Sequence, residues 1–159
     1  MSSFLSNSST SPVDQSSNAY AGLNIEGHQE QSNNFTIEGK GNDNILGGDL
    51  KDTIYSSEGN DFIQGFAGND LLMGNAGDDV IDGGDGNDTI FGNDDNDILK
   101  GELGDDLIKG GDGDDVILGG ANNDSLYGGD GNDFIRGNLG NDLIKGGDGN
   151  DTLIGDEDN

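Results

Sequence analysis

An aspartate recurs every nine residues over three quarters of this 159-residue chain, and each one closes a turn-like stretch that is rich in glycine. In the stretch "GGDGND", which begins at Gly83, Gly128 and Gly146, a carboxylate follows glycines that have no side chain to cover their carbonyl oxygens. Carboxylate and carbonyl oxygens are the ligands that Ca²⁺ takes in loose geometry, whereas Mg²⁺ needs a tighter octahedron. Zinc would require histidine or cysteine, and the chain has one histidine, His28, and no cysteine. The residue types therefore indicate oxygen-ligand sites for calcium.

The spacing predicts the elements that position these aspartates. Thirteen nine-residue units fill residues 39–155 without an insertion; the fifth residue is always Asp and the seventh is always Ile or Leu. Fixed spacing is typical of a stacked solenoid in which each unit is one rung, and nine residues hold only a short strand and a tight turn. We therefore predict an all-β fold, a parallel β-roll (a two-sheet right-handed β-helix) with two units per coil and the seventh residue pointing inward.

In such a roll, equivalent residues two units apart lie directly above each other. Asp88 would lie between Asp70 and Asp106, each about 5 Å away, and two bare carboxylates at that distance repel by roughly 3 kcal/mol at an effective dielectric near 20. A divalent cation between each pair would reverse the sign of this interaction. Pairing each aspartate with the one two units further along the chain gives up to eleven sites. The predicted metal-binding aspartates are Asp43, Asp52, Asp61, Asp70, Asp79, Asp88, Asp97, Asp106, Asp115, Asp124, Asp133, Asp142 and Asp151.

The register Gly-Gly-x-Gly-x-Asp-x-Leu/Ile-x resembles the RTX (repeats-in-toxin) haemolysin-type calcium-binding nonapeptide, and the resemblance covers residues 39–155. It implies that each ion lies between successive turns, held by an Asp and two backbone carbonyls from each turn. The turn that ends at Asp88 would then share an ion with the turn that ends at Asp106. On this basis the implied carbonyl ligands are those of Gly84, Gly86, Gly101, Leu103, Gly111, Gly113, Gly129 and Gly131.

Three turns depart from the repeat. Leu50 and Lys51 replace Gly and Asn in the second unit, and Lys51 brings a positive charge into the turn. Asp95 and Asn122 replace the third-position glycine of the seventh and tenth units. We expect weaker sites at these turns, and hence fewer than eleven strong ones.

The composition limits the classes of partner. Acidic residues number 33 against 6 basic ones, for a formal charge of −27, and Leu, Ile, Val and Phe together make only 36 residues. Nucleic acid and anionic membranes bind clusters of Lys and Arg, so neither is an expected partner, and no apolar run is long enough to span a membrane. A chain this acidic resists compaction until cations neutralise it. We therefore expect calcium to induce folding.

Localisation follows from the same argument. Folding that needs calcium suits a secreted protein, which would stay unfolded where free calcium is scarce. RTX-like proteins are exported through an uncleaved C-terminal signal, and the start "MSSFLSNSST" has no standard N-terminal secretory signal. The closing "GDEDN" shows no evident C-terminal secretion segment, so the export route stays open, as does the alternative that the chain is a module.

The segments outside the repeat differ in composition. Residues 1–38 are rich in Ser, Asn and Gln, and we expect a flexible N-terminal arm, with an edge strand near residues 20–38 as the structured alternative. Residues 156–159 form an acidic tail. His28 lies in the arm, and the chain has no cysteine and no second histidine to complete a metal site with it, so we expect it to be solvated.

Other functions were weighed against calcium binding. No serine has a nearby base for nucleophilic catalysis, so an enzyme is not predicted. The alternative is an extracellular structural, adhesion or ice-binding-like surface protein in which calcium only rigidifies the scaffold. A contact surface for self-association or a protein partner is the second hypothesis, against the simpler reading of β-favouring residues on a half-covered sheet. It would be an outward column formed by Phe62, Val80, Ile98, Val116 and Phe134.

Overall fold

The structure, a computed structural model, describes residues 4–6, 22–27, 32–36 and 40–157. These residues contain strands and turns but no helix, in agreement with the predicted all-β class. The strands are β1 (Phe4–Ser6), β2 (Asn24–Glu26), β3 (Asn34–Thr36), β4 (Asn44–Gly48), β5 (Thr53–Glu58), β6 (Phe62–Ala67), β7 (Leu71–Ala76), β8 (Val80–Asp85), β9 (Thr89–Asp94), β10 (Ile98–Leu103), β11 (Leu107–Asp112), β12 (Val116–Ala121), β13 (Ser125–Asp130), β14 (Phe134–Leu139), β15 (Leu143–Asp148) and β16 (Thr152–Glu157).

The strands form two parallel sheets, and the chain alternates between them. One sheet has nine strands in the order β1-β2-β4-β6-β8-β10-β12-β14-β16, and the other has seven in the order β15-β13-β11-β9-β7-β5-β3. From β4 onward neighbouring strands pair with an offset of two repeat units, as in the pairing of Ile98 with Val80 and Val116. The predicted parallel β-roll is confirmed as a two-sheet solenoid of about 7 coils.

A single column of aliphatic residues on each sheet forms the core. The seventh residue of each unit points inward, and from Ile45 to Ile135 these side chains are 0% exposed. They are mostly β-branched Ile, which suits a strand because χ1 is already restricted there. The last coil differs, since Ile144 is half-buried and Leu153 is 48% exposed; no further coil of the described residues covers them.

Each turn depends on backbone conformations that glycine adopts without strain. Gly84 and Gly86, which flank Asp85 in one turn, have φ of 104° and 134°. The ninth residue faces the interior, and a Cβ added at Gly83 would come within 3.0 Å of the Asp88 carboxylate. The strands are longer than the predicted triplet, because pairing with the neighbouring coils continues to the second residue of the next unit, as between Leu103 and Asp85.

Three short strands extend the roll at its N-terminal end, and β1 pairs with β2 at the edge of the nine-stranded sheet. β2 pairs with β4 and β3 pairs with β5, but their registers, Asn24 beside Asn44 and Asn34 beside Thr53, depart from the two-unit spacing of the repeat. Leu23 and Ile25 are buried in this coil.

The segments outside the repeat are described only in part. The expected flexible arm falls mostly on residues 1–3, 7–21, 28–31 and 37–39, which lie outside the described residues, as does His28. At the other end β16 continues to Glu157, so the first part of the expected acidic tail belongs to a strand.

Candidate functional site

The fifth-position aspartates form one ladder along each edge of the roll. The first edge has the turns that lead into the nine-stranded sheet, and the second edge has those that lead into the seven-stranded sheet. The first-edge aspartates are Asp43, Asp61, Asp79, Asp97, Asp115, Asp133 and Asp151. The second-edge aspartates are Asp52, Asp70, Asp88, Asp106, Asp124 and Asp142.

Within each ladder, one carboxylate oxygen is bound to the backbone of the preceding coil. The backbone N–H of Asp70 donates to Asp88 Oδ1 at 2.8 Å, and the N–H of Asp88 donates to Asp106 Oδ1 at 2.8 Å. The same contact recurs from coil to coil on both edges. The stacking predicted from the spacing is therefore present, and it fixes the orientation of each carboxylate.

The other carboxylate oxygen is buried without a hydrogen-bond donor. A carboxylate oxygen that lacks a partner away from water costs several kcal/mol, so such an atom calls for a compensating positive group. Ten aspartates of the described residues share this feature, namely the Oδ2 atoms of Asp52, Asp61, Asp70, Asp79, Asp88, Asp97, Asp106, Asp115, Asp124 and Asp133.

These oxygens lie beside backbone carbonyls of the neighbouring coil. A Cβ added at Gly83 would come within 3.0 Å of Asp88 Oδ2 and lie 3.1 Å from the carbonyl oxygen of Gly101. Equivalent crowding occurs at Gly65, where the neighbours are Asp70 Oδ2 and the Gly83 carbonyl. The structure thus brings the Gly101 carbonyl towards Asp88, across the two turns that the sequence pairs.

The remaining predicted carbonyls also belong to crowded turns. Each carbonyl oxygen of Gly86, Gly111, Gly113, Gly129 and Gly131 lies so close to the next turn that a Cβ there would approach it within 3.0 Å. The Leu103 carbonyl differs, because it accepts the backbone N–H of Gly86 at 2.7 Å and keeps one lone pair free. Gly84 lies in β8, where it pairs with Glu102 of β10 and Phe66 of β6.

The electrostatics of the ladders reflect stacked negative charge. The pKa of Asp88 is raised to about 7: burial raises it most, the charges of Asp70 and Asp106 also raise it, and the backbone hydrogen bond from Asp70 lowers it. Burial likewise raises the pKa of Asp97 to about 8, the charges of Asp79 and Asp115 contributing in the same direction. The carboxylates are therefore poorly stabilised by the protein alone at neutral pH.

The donor set fits a hard divalent cation. It consists of carboxylate and carbonyl oxygens, which Ca²⁺ accepts in numbers of six to eight at about 2.3–2.6 Å. Among the described residues no three side chains of His, Cys, Asp or Glu converge, so a site in these turns must rely on backbone carbonyls. This is the ligand mixture that the repeat itself implies.

Two of the three departures from the repeat retain the turn geometry. Asp95 and Asn122 have φ of 76° and 86°, which Asn and Asp tolerate better than other side chains. Their carbonyl oxygens approach Gly113 and Gly140 just as the glycine carbonyls do in other turns. Their positions do not explain the weaker sites that we expected there.

A second ladder, on the turn surface, was not anticipated. The Oδ1 atom of Asn69 accepts the backbone N–H of Asn87 at 3.1 Å, and Asn87 does the same for Asp105 at 3.1 Å. These contacts run opposite to those of the buried aspartates. The sequence carried the signal, because the fourth residue is Asn or Asp in twelve of the thirteen units.

The outward column lies on the nine-stranded sheet with its members in register. Phe62 pairs with Val80, Val80 with Ile98, Ile98 with Val116, and Val116 with Phe134. Phe62, Ile98 and Phe134 are 40%, 41% and 36% exposed. The column is therefore continuous, and three of its five side chains face solvent.

None of the described residues forms a helix suited to crossing a membrane.

A parallel roll whose edges carry carboxylates and carbonyls in every turn is a structural calcium-binding fold. The sequence model of the RTX calcium-binding nonapeptide repeat, which spans four copies, matches residues 39–63, 46–81, 64–99, 91–126 and 127–159. The chain therefore belongs to the RTX calcium-binding repeat family. A search of curated proteins gives no match.

Proposed function

We propose that this chain is a secreted calcium-binding repeat protein or module that folds when calcium fills the edges of the roll. The observation that carries the proposal is the set of ten buried Oδ2 atoms with no hydrogen-bond donor among the described residues. A bound Ca²⁺ would supply the positive charge that these oxygens lack.

The proposed ligands are the thirteen fifth-position aspartates with turn carbonyls. Each Asp uses Oδ1 to hold the preceding coil through a backbone N–H, which leaves Oδ2 for an ion. The Gly101 carbonyl lies on the same side of the Gly83 backbone as Asp88 Oδ2, which supports its assignment as a carbonyl ligand for that turn. Up to eleven ions would be held in this way.

The link to secretion rests on charge. The formal charge of −27 opposes compaction, and eleven divalent ions would reduce it to about −5. Binding free energy then becomes folding free energy, because the sites exist only when successive coils are stacked. Extracellular calcium modules typically have dissociation constants of about 10⁻⁴–10⁻³ M, and we expect the folding midpoint in this range.

Counting bound ions tests the binding directly. Native mass spectrometry of the chain at millimolar calcium should give several calcium ions per chain, and magnesium at the same concentration should give far fewer. A protein that binds no calcium, or binds magnesium equally well, would overturn the proposed function.

We further propose that the outward column contacts a second copy of the chain. Its order is the same from either end, so a twofold axis at Ile98 would match Phe62 with Phe134 and Val80 with Val116. The seven strands of the nine-stranded sheet that belong to the repeat, β4 to β16, lie about 4.8 Å apart and are about 20 Å long. They give a face of roughly 600 Å², close to the ~800 Å² per partner of a stable interface. Partial neutralisation by calcium would reduce the repulsion between two acidic copies.

The test is the oligomeric state at saturating calcium. The double substitution Ile98→Thr and Val116→Thr should convert a dimer to a monomer in sedimentation velocity, with calcium binding unchanged. Leu107→Thr on the opposite sheet is the matched control and should leave the dimer intact. A monomeric wild-type protein, or a double variant that stays dimeric, would contradict this proposal.

A further inference from the structure

The turn formed by Gly48–Asp52 on the second edge differs from the other turns in its backbone. At eight third-position glycines, a Cβ would come within 3.0 Å of the third-residue carbonyl oxygen one coil earlier. At Gly68 the nearest atoms are instead the carbonyl carbon of Leu50 at 2.7 Å and the backbone nitrogen of Lys51 at 2.8 Å. The Leu50 peptide therefore does not present its oxygen to the next turn as the others do.

The backbone of this turn departs from the others at two positions, because neither Gly48 nor Leu50 has the positive φ that the first and third residues adopt in the later turns. The third residue has positive φ in neighbouring turns, with 136° at Gly68 and 134° at Gly86, but Leu50 does not adopt a positive φ. Leucine meets a steric cost in that region that glycine, asparagine and aspartate avoid or tolerate. Asn122, at the same position of a later turn on this edge, does adopt it, and its carbonyl oxygen approaches the next turn as the glycine carbonyls do.

Lys51 changes the charge of the same turn. The fourth residue elsewhere is an Asn or Asp, and in most turns its Oδ1 accepts a backbone N–H, as Asn87 does for Asp105, whereas a lysine has no acceptor. Lys51 instead acts on Asp70, whose pKa is about 6: burial raises this pKa most, the charge of Asp52 also raises it, and the backbone hydrogen bond from Asp52 and the charge of Lys51 lower it. No other unit of the repeat has a cation at the fourth position.

The coil on the N-terminal side of this turn contacts Asp52 through hydrogen bonds, without an ion. Asn33 takes the place of a fifth-position aspartate there and donates to Asp52 Oδ1 through its backbone N–H and through Nδ2, at 2.5 and 3.0 Å. No carboxylate of the described residues stacks below Asp52, so the repulsion at this end of the ladder comes from Asp70 alone.

We propose that the level between Asp52 and Asp70 holds no calcium, because Lys51 supplies the positive charge and Leu50 withdraws a carbonyl ligand. Resting on the proposed function, this inference assigns the second edge one fewer ion than its aspartates allow. At the N-terminal end of that edge, Asn33 then holds Asp52 Oδ1, and the charge of Lys51 is the proposed compensation for Asp52 Oδ2, which has no hydrogen-bond donor.

Ion counting by native mass spectrometry at saturating calcium tests the assignment. The double variant Leu50→Gly and Lys51→Asn restores the repeat and should bind one more calcium ion than the wild type. Lys109→Asn, on a sheet face, changes the net charge equally and should leave the count unchanged. The reverse change, Asn87→Lys, should remove one ion.

An unchanged count in the double variant would overturn the inference, as would a gain in the Lys109→Asn control. An unchanged count in Asn87→Lys would overturn the role given to the lysine charge. A wild-type protein without any bound calcium would instead defeat the proposed function, so the two failures are distinct.

Discussion

Replacing Asp88 with asparagine should have opposite effects on stability in the absence and presence of calcium. The Asn side chain keeps an oxygen that accepts the backbone N–H of Asp70. Its NH₂ group takes the place of Oδ2, which has no hydrogen-bond donor, and lies near the Gly101 carbonyl as a donor. The substitution also removes the negative charge between Asp70 and Asp106. Without metal this should stabilise the roll, and with metal it should remove a ligand.

The size of the stabilisation follows from two limits. Each neighbouring carboxylate about 4.8 Å away repels Asp88 by roughly 3 kcal/mol at an effective dielectric near 20, or about 6 kcal/mol for the two. Protonation offers an escape, since the pKa of Asp88 is already raised from 3.8 to about 7. A rise of that size corresponds to about 4 kcal/mol, so we expect a gain of about 2–4 kcal/mol in the metal-free protein.

In calcium the sign should reverse. Losing an ion present at about 100 times its dissociation constant costs about 2.7 kcal/mol. The assay is urea unfolding at pH 7, monitored by circular dichroism in two conditions. The first is chelator with the same concentration of trimethylamine N-oxide for every variant, added to populate the folded state. The second is millimolar calcium. Asp85→Asn, on an exposed side chain of the same turn, is the control and should move neither value by more than about 0.5 kcal/mol. Destabilisation by Asp88→Asn in both conditions would refute the account of the ladder.

Two further predictions concern the same turns. The metal-free protein should gain β structure on acidification. The folded-state pKa of the buried aspartates is raised, to about 7 for Asp79 and about 8 for Asp97. Their contribution to the free energy of unfolding is therefore fully present below about pH 4 and is lost as the pH rises through 6–8. Circular dichroism in chelator from pH 8 to 4 measures this, and an acid-unfolded chain would contradict it. Gly83→Ala should destabilise the calcium-bound roll by about 3 kcal/mol, because its Cβ would clash with the Asp88 carboxylate. Urea unfolding beside the exposed-site variant Asp85→Ala checks this, and equal stability of the two would count against the crowded turn.

The fold was predictable because one regular signal determines it. Each nine-residue unit has an Ile or Leu as its seventh residue and an Asp as its fifth. A coil of two units buries the Ile or Leu and stacks the aspartates. The register Ile98–Val80–Val116 follows directly from that period. The N-terminal coil escaped the same reasoning, because its strand registers break the period and Leu23 and Asn33 replace the aspartates.

The candidate site was predictable in its residues but not in its orientation. The spacing places Asp88 between its neighbours, yet it does not reveal that Oδ1 is already bound to a backbone N–H and that only Oδ2 is without a donor. Backbone dihedrals decide the third-position departures, since Asn122 adopts the positive φ that Leu50 does not. The residue types indicated that Leu50 and Asn122 would differ, but the sequence did not predict the direction of the Leu50 carbonyl.

The most direct test of the central claim is a far-ultraviolet circular dichroism titration with calcium after exhaustive chelation, with magnesium as the control. The account predicts a cooperative transition from coil to β structure with calcium alone, with a midpoint of about 10⁻⁴–10⁻³ M. A β spectrum that persists at pH 7 without any metal would contradict the claim that cations stabilise the aspartate ladders.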